Sequence, residues 1–449
     1  MKGLKIIILG ILLGFSLPAY GAETVKAILP SGDLSLNEVV AYALDHNPGL
    51  KASLNGIEIE GYAIQTAQSN RMPKVDFNSW MNRYRYQTPL TSINPSALTG
   101  GGSSGLFDDT HLGTEIALSL PLYKGGQLVR GVRVAEIKQE IARESLVQSQ
   151  QELIFNLTSL YYKINQLEKT QESTQASVDR LLAHQKDVET FLKAGTVPKV
   201  DLLKTEVESA RRQQDLLAIN NSIESAYDLM RTLMGMEDIR SPLKIGIPAD
   251  SREDLPEFEP ALESALANRP EYLSLQKKET LYEQMRLIQE GRKKPFVYLS
   301  SIYDLKSGDD FDFKEDWTVS LKMNLPLYDA GNIKASMAIQ EKEIERTRLQ
   351  LQSLKLEIQR EIQDAFLSIK NAEDRISVSE KAIASGEEDL RVQRLKYSAG
   401  AGTSTEVIDS QSALLIAQAN YFQAVFDKEI AMASLRKAMG TLPHTGASR

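Results

Sequence analysis

The chain has 449 residues, a formal net charge of −8, ordinary apolar content and no cysteine. A disulfide framework, a thiolate metal site, a cysteine nucleophile and a lipidated N-terminal cysteine are therefore excluded. The acidic balance argues against nucleic acid as a partner, because proteins that bind it carry a basic surface.

Residues 1–22 are predicted to form a signal peptide. Lys2 and Lys5 precede an apolar run over residues 6–17, and Ala19 and Gly21 supply small residues for a cleavage site. The run is too short to cross a bilayer as a helix, which favours a cleaved signal over an uncleaved anchor. Because no later segment reaches about 18 apolar residues, we expect the exported protein to be soluble or to enter a membrane as a β-barrel.

The sequence that follows repeats itself after 205 residues. LPLYKGGQ at position 120 returns as LPLYDAGN at position 325, and Gly195 returns as Gly400. One constant offset over such a long stretch predicts two copies of a long helical hairpin. We therefore predict a first repeat over residues 23–240, a linker over 241–257, a second repeat over 258–441 and a disordered tail over 442–449.

Each repeat is predicted to begin with helical segments that a proline interrupts. In the first repeat, Ser35 and Glu38 have the spacing of a capping box. The N-P pair at 47–48 and the R-P pair at 269–270 lie 222 residues apart instead of 205. The first repeat must therefore hold 17 extra residues before position 120, and we assign them to a flexible external loop over residues 87–109.

Four segments are predicted to be β-strands, at about residues 74–86, 112–122, 296–304 and 316–325. From Trp317 to Met323 every second residue is apolar, which is typical of a strand with one apolar face. A lipid-facing strand and a strand packed on a soluble core fit this pattern equally well. We expect the aromatic residues of these strands to form interfacial girdles: Trp80, Tyr84, Tyr86, Tyr298, Tyr303 and Trp317.

Four strands cannot close a barrel, since small barrels need about eight. An open sheet edge in lipid would leave backbone groups without hydrogen-bond partners. If these strands lie in a membrane, three chains that share one barrel would supply about twelve strands with every edge paired.

The long helical hairpins are predicted over residues 127–235 and 332–440. In the second hairpin, apolar residues recur every seven positions from Ile344 to Ala372, and a second row runs from Ile362 to Tyr397. Such rows over several heptads predict coiled-coil packing. Each arm of about 65 to 70 residues would be roughly 100 Å long, which indicates an extended hairpin and not a compact domain.

Glycine breaks mark the tips of the two hairpins: Gly195, Thr196, Val197 and Pro198 in the first, and Gly400, Ala401, Gly402 and Thr403 in the second. Glu406 and Asp409 follow, three residues apart, on one face of the returning helix. These acids fit helix capping. They fit equally well rings of acids at the narrow end of a symmetric tube, as in cation-selective pores.

The tandem halves, the LPLY strand-to-helix junctions, the two proline breaks and the two glycine tips together resemble the TolC family of outer-membrane efflux channels. The resemblance covers essentially the whole chain after the signal peptide. It implies a mainly α fold with a membrane β-barrel, in which a strand hairpin and a very long coiled-coil helical hairpin form a tandem repeat and three chains form an α/β-barrel. It also implies a passive exit duct of a tripartite efflux or type I secretion system. Such a duct lies in the outer membrane, extends into the periplasm and is opened by adaptor contact at the helix tips.

The resemblance also assigns roles to residues of the tips. The periplasmic gate of the family falls here on Glu406, Asp409, Asp201 and Tyr397. The adaptor is expected to contact the tips from Gly195 to Pro198 and from Gly400 to Thr403. The implied partners are two further copies of the chain, a periplasmic adaptor, through it an inner-membrane transporter, and outer-membrane lipid. In the family prototype, an arginine at the position of Gly402 links neighbouring helices. Glycine has no side chain that could make this link here.

No catalytic, metal or cofactor site is predicted. The four histidines, His46, His111, His184 and His444, are scattered, without an i,i+4 pair or a nearby acid cluster. The sequence contains neither a Walker A motif nor a nucleophile elbow, so the energy for transport has to come from a partner.

Two alternatives to a channel stay open at the level of the sequence. One is a periplasmic coiled-coil scaffold without a pore, whose strands pack as a small soluble sheet. The other, weaker alternative is a periplasmic enzyme. Among channels, drug efflux, metal efflux and one-step protein secretion fit equally, because the channel sequence does not hold the substrate code.

Overall fold

The computed structural model describes residues 32–90, 107–238, 240–247, 255–309 and 311–442. The predicted signal peptide, most of the 87–109 loop, part of the linker and nearly all of the predicted tail lie outside the described residues. The described elements are α1 (Leu36–His46), α2 (Pro48–Ser69), β1 (Lys74–Pro89), β2 (Phe107–Lys124), α3 (Gln127–Lys193), α4 (Lys199–Met234), α5 (Phe258–Asn268), α6 (Pro270–Gly291), β3 (Phe296–Ser307), β4 (Lys314–Asn324), α7 (Asn332–Ser398) and α8 (Ser404–Ala438). None of these helices is long and apolar enough to cross a membrane.

The tandem repeat is confirmed by the helices. The two long helices α3 and α7 each have 67 residues. Each follows a glycine in the left-handed conformation, Gly126 with φ of 82° and Gly331 with φ of 85°. Glycine adopts such angles without the steric cost that a Cβ atom adds. The short helices α1 and α2 likewise match α5 and α6 in length, with 11 and 22 residues.

The predicted signals at the start of the first repeat are also confirmed. The Ser35 hydroxyl and the Glu38 carboxylate form a reciprocal capping box at the N-terminus of α1. Asn47 then ends α1 and caps α2, its side-chain oxygen accepting from the backbone N–H of Leu50 at 3.1 Å. Pro48 occupies the first turn of α2, where its missing N–H costs no hydrogen bond.

The four strands form one antiparallel sheet in the order β1-β2-β3-β4. The central pair, β2 and β3, joins the two repeats, and β1 and β4 are the edges. The strands β1 and β2 extend further towards their connecting loop than predicted, because the pairing resumes after a register shift. Beyond that shift Thr88 pairs with Asp108 and Pro89 with Phe107.

The two faces of this sheet differ sharply in polarity. On one face, Phe77, Ile116, Tyr303 and Trp317 lie side by side across the four strands. Phe77 and Trp317 expose 69% and 71% of their surface in the single chain. The opposite face carries rows of polar groups, including Asn78, Glu115, Asp304 and Asp316. The polar/apolar alternation predicted from the sequence therefore gives one mainly apolar face and one mainly polar face.

Three of the six predicted girdle aromatics, Trp80, Tyr84 and Tyr298, lie on the polar face, so the prediction is wrong for them. The ring of Tyr84 meets that of His111 on this face, at 4.9 Å between centroids. Trp80 covers Gly113 on β2, where an added Cβ atom would approach the indole to 2.3 Å. Tyr298 lies beneath the amine of Lys322, 5.9 Å from its ring centroid. All three residues are one position out of phase with the apolar face, so their side chains point the opposite way.

The helices form a layer whose composition changes along its length. On the strand side, α2, α3, α6 and α7 pack in that order, and on the tip side the order is α4, α3, α8 and α7. Between these two halves, α1 packs Val39 and Ala43 into a core with α3 and α4. The equivalent helix α5 packs Ala261 and Ala265 into a core with α7 and α8.

The outer side of α7 carries an apolar stripe that the single chain leaves exposed. Leu349, Leu356, Leu367 and Val378 follow one another at spacings of seven and eleven residues, and each exposes more than half of its surface. Such spacings keep residues on one side of a helix. On the opposite border of the layer, α2 exposes Ile59 to 66%.

Candidate functional site at the helix tips

Both tips end their first helix with the same backbone device. Gly195 and Gly400 have φ values of 75° and 72°, and an added Cβ atom at either would meet nothing within 4 Å. The next residue donates its N–H to a carbonyl five positions back, Thr196 to Phe191 at 3.0 Å and Ala401 to Lys396 at 2.8 Å. This is the Schellman arrangement, which satisfies carbonyls that a helix end would otherwise leave unpaired.

The helices that follow begin in different ways. In the second tip, the Thr403 hydroxyl accepts from the N–H of Glu406 at 3.3 Å, and the Thr403 N–H donates to the Glu406 carboxylate at 2.7 Å. That backbone N–H lowers the pKa of Glu406 below its ordinary value, and the Thr403 hydroxyl adds to the effect. In the first tip, Pro198 occupies the N-cap and no side chain caps α4. Helix capping, one of the two predicted roles of Glu406, is thus observed.

The predicted gate residue Tyr397 lies in the core of the tip. It exposes 7% of its surface and packs with Val188, Leu390 and Val407. Its hydroxyl is buried and has no hydrogen-bond partner within the described ranges, and Asp201 does not reach it. Burial raises the pKa of Tyr397 above its ordinary value, and the charge of Asp201 adds to this. In the single chain these two residues are electrostatic neighbours and not a bonded pair.

The other predicted gate acids remain on the surface. Glu406 and Asp409 are both exposed, and Asp201 is half-buried in the first turn of α4. At Gly402, an added Cβ atom would lie 3.0 Å from the Cβ of Lys396. A larger residue at that position would require the end of α7 to shift.

A buried polar connection between the two hairpins was not predicted from the sequence. His184 on α3 exposes 4% of its surface, and its Nε2 lies 2.9 Å from the hydroxyl of Ser404, the first residue of α8. The Ser404 hydroxyl lies 3.2 Å from that of Thr205 on α4, and both residues are fully buried. The ring of Tyr397 meets the imidazole edge-on, at 4.9 Å between centroids. Side chains of four helices therefore meet around His184 and Ser404.

The sequence does hold a signal for this histidine, although it is indirect. His184 lies on a row of buried positions of α3 with Ser177, Leu181 and Val188, at the heptad spacing of a core row. Its position in the row predicts burial. The sequence gives no sign of Ser404, which lies 220 positions further along the chain.

Beside the tips, the first turns of α4 and α8 border an apolar groove. Val200 and Val207 on α4 expose 50% and 70% of their surface, and Ile408 lines the facing side. The amine of Lys204 crosses to the hydroxyl of Thr405 at 3.2 Å. Across the described residues, no group of three or more histidines and acids is arranged to hold a metal ion.

Comparisons with known proteins agree with this architecture. The chain matches the family model described as outer membrane efflux protein over residues 39–236 and 301–441. It is 21% identical to the outer membrane efflux protein BepC of Brucella suis, over 94% of this chain and 89% of that protein. It is 22% identical to the outer membrane protein TolC of Escherichia coli K12, over 97% and 86%. The solved structure of VceC from Vibrio cholerae superposes with a TM-score of 0.77 at 18% identity, covering 90% of this chain and 96% of that one.

Proposed function

The chain belongs to the outer membrane efflux protein family, and from its tips and its sheet we propose how it forms and gates its channel. Members of this family are trimeric outer-membrane channels that work with adaptor proteins, and they are passive ducts, not enzymes. The chain is therefore an outer-membrane exit duct for efflux that extends into the periplasm. We propose, in addition, its partners, its lipid contacts and the roles of its tip residues.

The proposed assembly is a homotrimer with a shared barrel of about twelve strands. Within the sheet of one chain, the outer edges of β1 and β4 are unpaired, so β4 of one copy would pair with β1 of the next. Pairing every edge removes the backbone groups that lipid cannot satisfy. The exposed stripe of α7 would pack against α2 and α4 of the next copy in the same way. A pore-free scaffold would leave both borders exposed.

The observation that carries the proposal is the division of the sheet into an apolar and a polar face. The apolar face would contact lipid and the polar face would line the lumen. The chain has two tryptophans, and they lie on opposite faces: Trp317 on the apolar face and Trp80 on the polar face. Each tryptophan can therefore report on the surroundings of one face.

Fluorescence quenching of single-tryptophan variants tests this orientation. In vesicles, Trp80→Phe leaves Trp317, whose emission should be quenched strongly by brominated lipid and weakly by acrylamide. Trp317→Phe leaves Trp80, for which we expect the opposite order. Equal quenching of the two variants by brominated lipid would contradict the proposed barrel. An oligomer mass of three chains in the outer-membrane fraction is the companion result.

The proposed gate lies at the tips, where Glu406, Asp409, Asp201 and Tyr397 belong to the narrow end of the tube. Three copies of each exposed acid would form rings that attract cations and disfavour anions. Contact of a periplasmic adaptor with residues 195–198 and 400–403 would favour an open arrangement, provided that the adaptor binds the open tips more tightly than the closed ones. An inner-membrane transporter on the other side of the adaptor would supply the energy.

Conductance in planar bilayers tests the gate acids. Glu406→Gln combined with Asp409→Asn removes the charges and keeps the side-chain shapes. We expect a lower preference for cations and weaker block by divalent cations. Glu357→Gln, which removes an exposed acid of α7 far from the tip, is the matched control and should leave both properties unchanged. Unchanged selectivity in the double variant would remove these acids from the pore lining.

A further inference from the structure

The hydrogen bonds around His184 have one consistent direction. The Thr205 hydroxyl donates to the carbonyl of Asp201 at 2.9 Å, so its single proton is used. The Ser404 hydroxyl, 3.2 Å away, must then donate to Thr205. Ser404 accepts in turn from Nε2–H of His184 at 2.9 Å. Nε2 therefore carries a proton in the packed tip, and a second proton would enter the ring at Nδ1.

This chain of hydrogen bonds joins the two repeats at the tip. His184 belongs to α3 and Thr205 to α4, both in the first hairpin, whereas Ser404 opens α8 of the second. Ser404 stands two residues before Glu406, one of the proposed gate acids. A change in the bonds of Ser404 would therefore act on the turn of α8 that carries Glu406.

A second proton on the imidazole would be poorly accommodated. His184 is buried, and burial lowers the pKa of its ring below the ordinary value. Arg394 on α7 also opposes the charge, whereas Asp187 on α3 and Asp201 on α4 favour it. The imidazolium would face the N-terminus of α8 at Ser404, where the peptide dipoles already place positive charge.

The remaining ionisable groups of the surrounding helices offer little compensation. On α8, the carboxylate of Glu406 is engaged by Thr403 in the capping box. On α7, Tyr397 presents its ring to the imidazole, and its hydroxyl is neutral far above physiological pH. The balance of these groups leaves the charged form of His184 less stable in the packed tip than in water.

We propose that His184 is a pH-sensitive link between the two hairpins. Neutral His184 holds the N-terminus of α8 against α3 and α4. A second proton places a buried positive charge beside this N-terminus, which destabilises the packing and releases α8. The effect on conductance rests on the proposed function, but the effect on tip geometry does not.

The direction of the pH effect follows from the lowered pKa. Since the packed tip binds the second proton less well than an opened tip, the link is fully present above the ordinary histidine pKa of about 6.5. It is lost progressively as the pH falls from that value towards the lowered pKa of the packed state. We therefore expect mild acid to separate the tips, before carboxylates begin to titrate.

Distance measurements between the tips test the proposal. Because the natural chain has no cysteine, Thr196→Cys and Ala401→Cys can carry spin labels without a background. Labelled chains are diluted with unlabelled ones, so that pulsed electron paramagnetic resonance reads the distance within one chain. We expect one distance population at about pH 8 and a second, longer one at about pH 5.5.

Two substitutions assign the effect to this histidine. His184→Gln keeps a donor for Ser404 but cannot gain a proton. The distance between the two spin labels in this variant should therefore not depend on pH. Ser404→Ala removes the acceptor and should show the longer distance already at about pH 8. His111→Gln, which replaces another buried histidine, on β2, is the matched control and should respond like the natural chain.

The possible outcomes separate this inference from the proposed function. A distance that does not change with pH in the natural chain would overturn the link, and so would a pH response that survives in His184→Gln. Neither result depends on conductance. Conversely, a chain that responds to pH at the tip but never conducts in bilayers would contradict the proposed pore and leave the link intact.

Discussion

The two hairpin tips share one backbone trace and differ in the side chains that stabilise it. Gly195 and Gly400 end their helices at nearly the same φ, 75° and 72°. Thr403 then caps α8 through its own side chain, whereas Pro198 at the equivalent position provides no cap. The repeat has therefore retained the backbone conformation of the tip, while the polar contacts have diverged.

The polar contacts between the helices of the two hairpins diverge in the same way. Asp389 occupies on α7 the position that His184 occupies on α3. Asp389 accepts from the hydroxyl of Ser410 at 2.6 Å, within its own hairpin. His184 instead reaches Ser404 in the other hairpin at 2.9 Å. The contact of Asp389 thus stays within the second hairpin, whereas the contact of His184 crosses from the first hairpin to the second. Both contacts end on the N-terminal turns of α8.

The largest expected effect concerns a position where the shared backbone meets different surroundings. Gly125 and Ala330 are equivalent and have positive φ values of 58° and 53°. A Cβ atom on Gly125 would lie 2.0 Å from the backbone oxygen of Gly291, whereas Ala330 is exposed. We expect Gly125→Ala to lower the free energy of unfolding by about 3 kcal/mol or more, from steric overlap and left-handed strain together.

The matched substitution in the second repeat is Ala330→Gly. It removes a Cβ atom from a strained conformation and should change the free energy of unfolding by less than about 1 kcal/mol. Thermal unfolding of both variants, followed by circular dichroism in detergent, makes the comparison. Equal losses in the two variants would show that the two strand-to-helix junctions have the same surroundings after all.

A smaller effect is expected from the cap that the second tip alone possesses. Thr403→Ala should cost about 1 kcal/mol, because it removes the side-chain acceptor of the Glu406 N–H. Thr403→Ser keeps the acceptor and is the control. The converse change, Pro198→Thr with Asp201→Glu, should install a capping box on α4 and protect its first turn from hydrogen exchange. Unchanged exchange at α4 would mean that the first tip is already held by its packing.

The architecture could be predicted because it depends on local and periodic signals. The constant offset of 205 residues and the heptad rows fixed the two helices of 67 residues each, and the glycines fixed their ends. The phase of β1 was also available. Val75, Phe77 and Met81 show the apolar face, which already places Trp80 on the other side. Tyr298 was harder to assign, since every residue from Phe296 to Leu299 is apolar and the alternation has no visible phase.

The candidate site could be predicted in position but not in its bonds. Glu406 fitted both a capping role and a pore role, and the sequence offered no means to choose, because both roles need an exposed acid at the start of a helix. The role of His184 depends on a hydroxyl in the other repeat. Metal-ligand spacing gives no indication of this role, because the role comes from tertiary packing and not from nearby sequence.

The smallest expected effect is the loss of stability in Asp389→Asn. Its dependence on pH should fall in a different range from that of His184→Gln at the equivalent position. The hydroxyl of Ser410 and the amide of Gln393 lower the pKa of Asp389 below its ordinary value. The stabilisation by Asp389 is therefore present above the ordinary aspartate pKa of about 3.9 and is lost as the pH falls through the lowered value. Asp389→Asn should cost on the order of 0.5 kcal/mol at neutral pH, because the carboxylate is largely exposed.

This difference in the free energy of unfolding between Asp389→Asn and the natural chain should stay constant between about pH 5 and pH 8 and shrink as the pH falls below the ordinary aspartate pKa. For His184→Gln the difference should change in another range, from about pH 6.5 downward, because a buried histidine resists protonation. Thermal unfolding of both variants across this pH series compares the two positions. If both differences changed in the same pH range, one titrating group would control the stability at both positions. The separate roles assigned to the two hairpins would then be wrong.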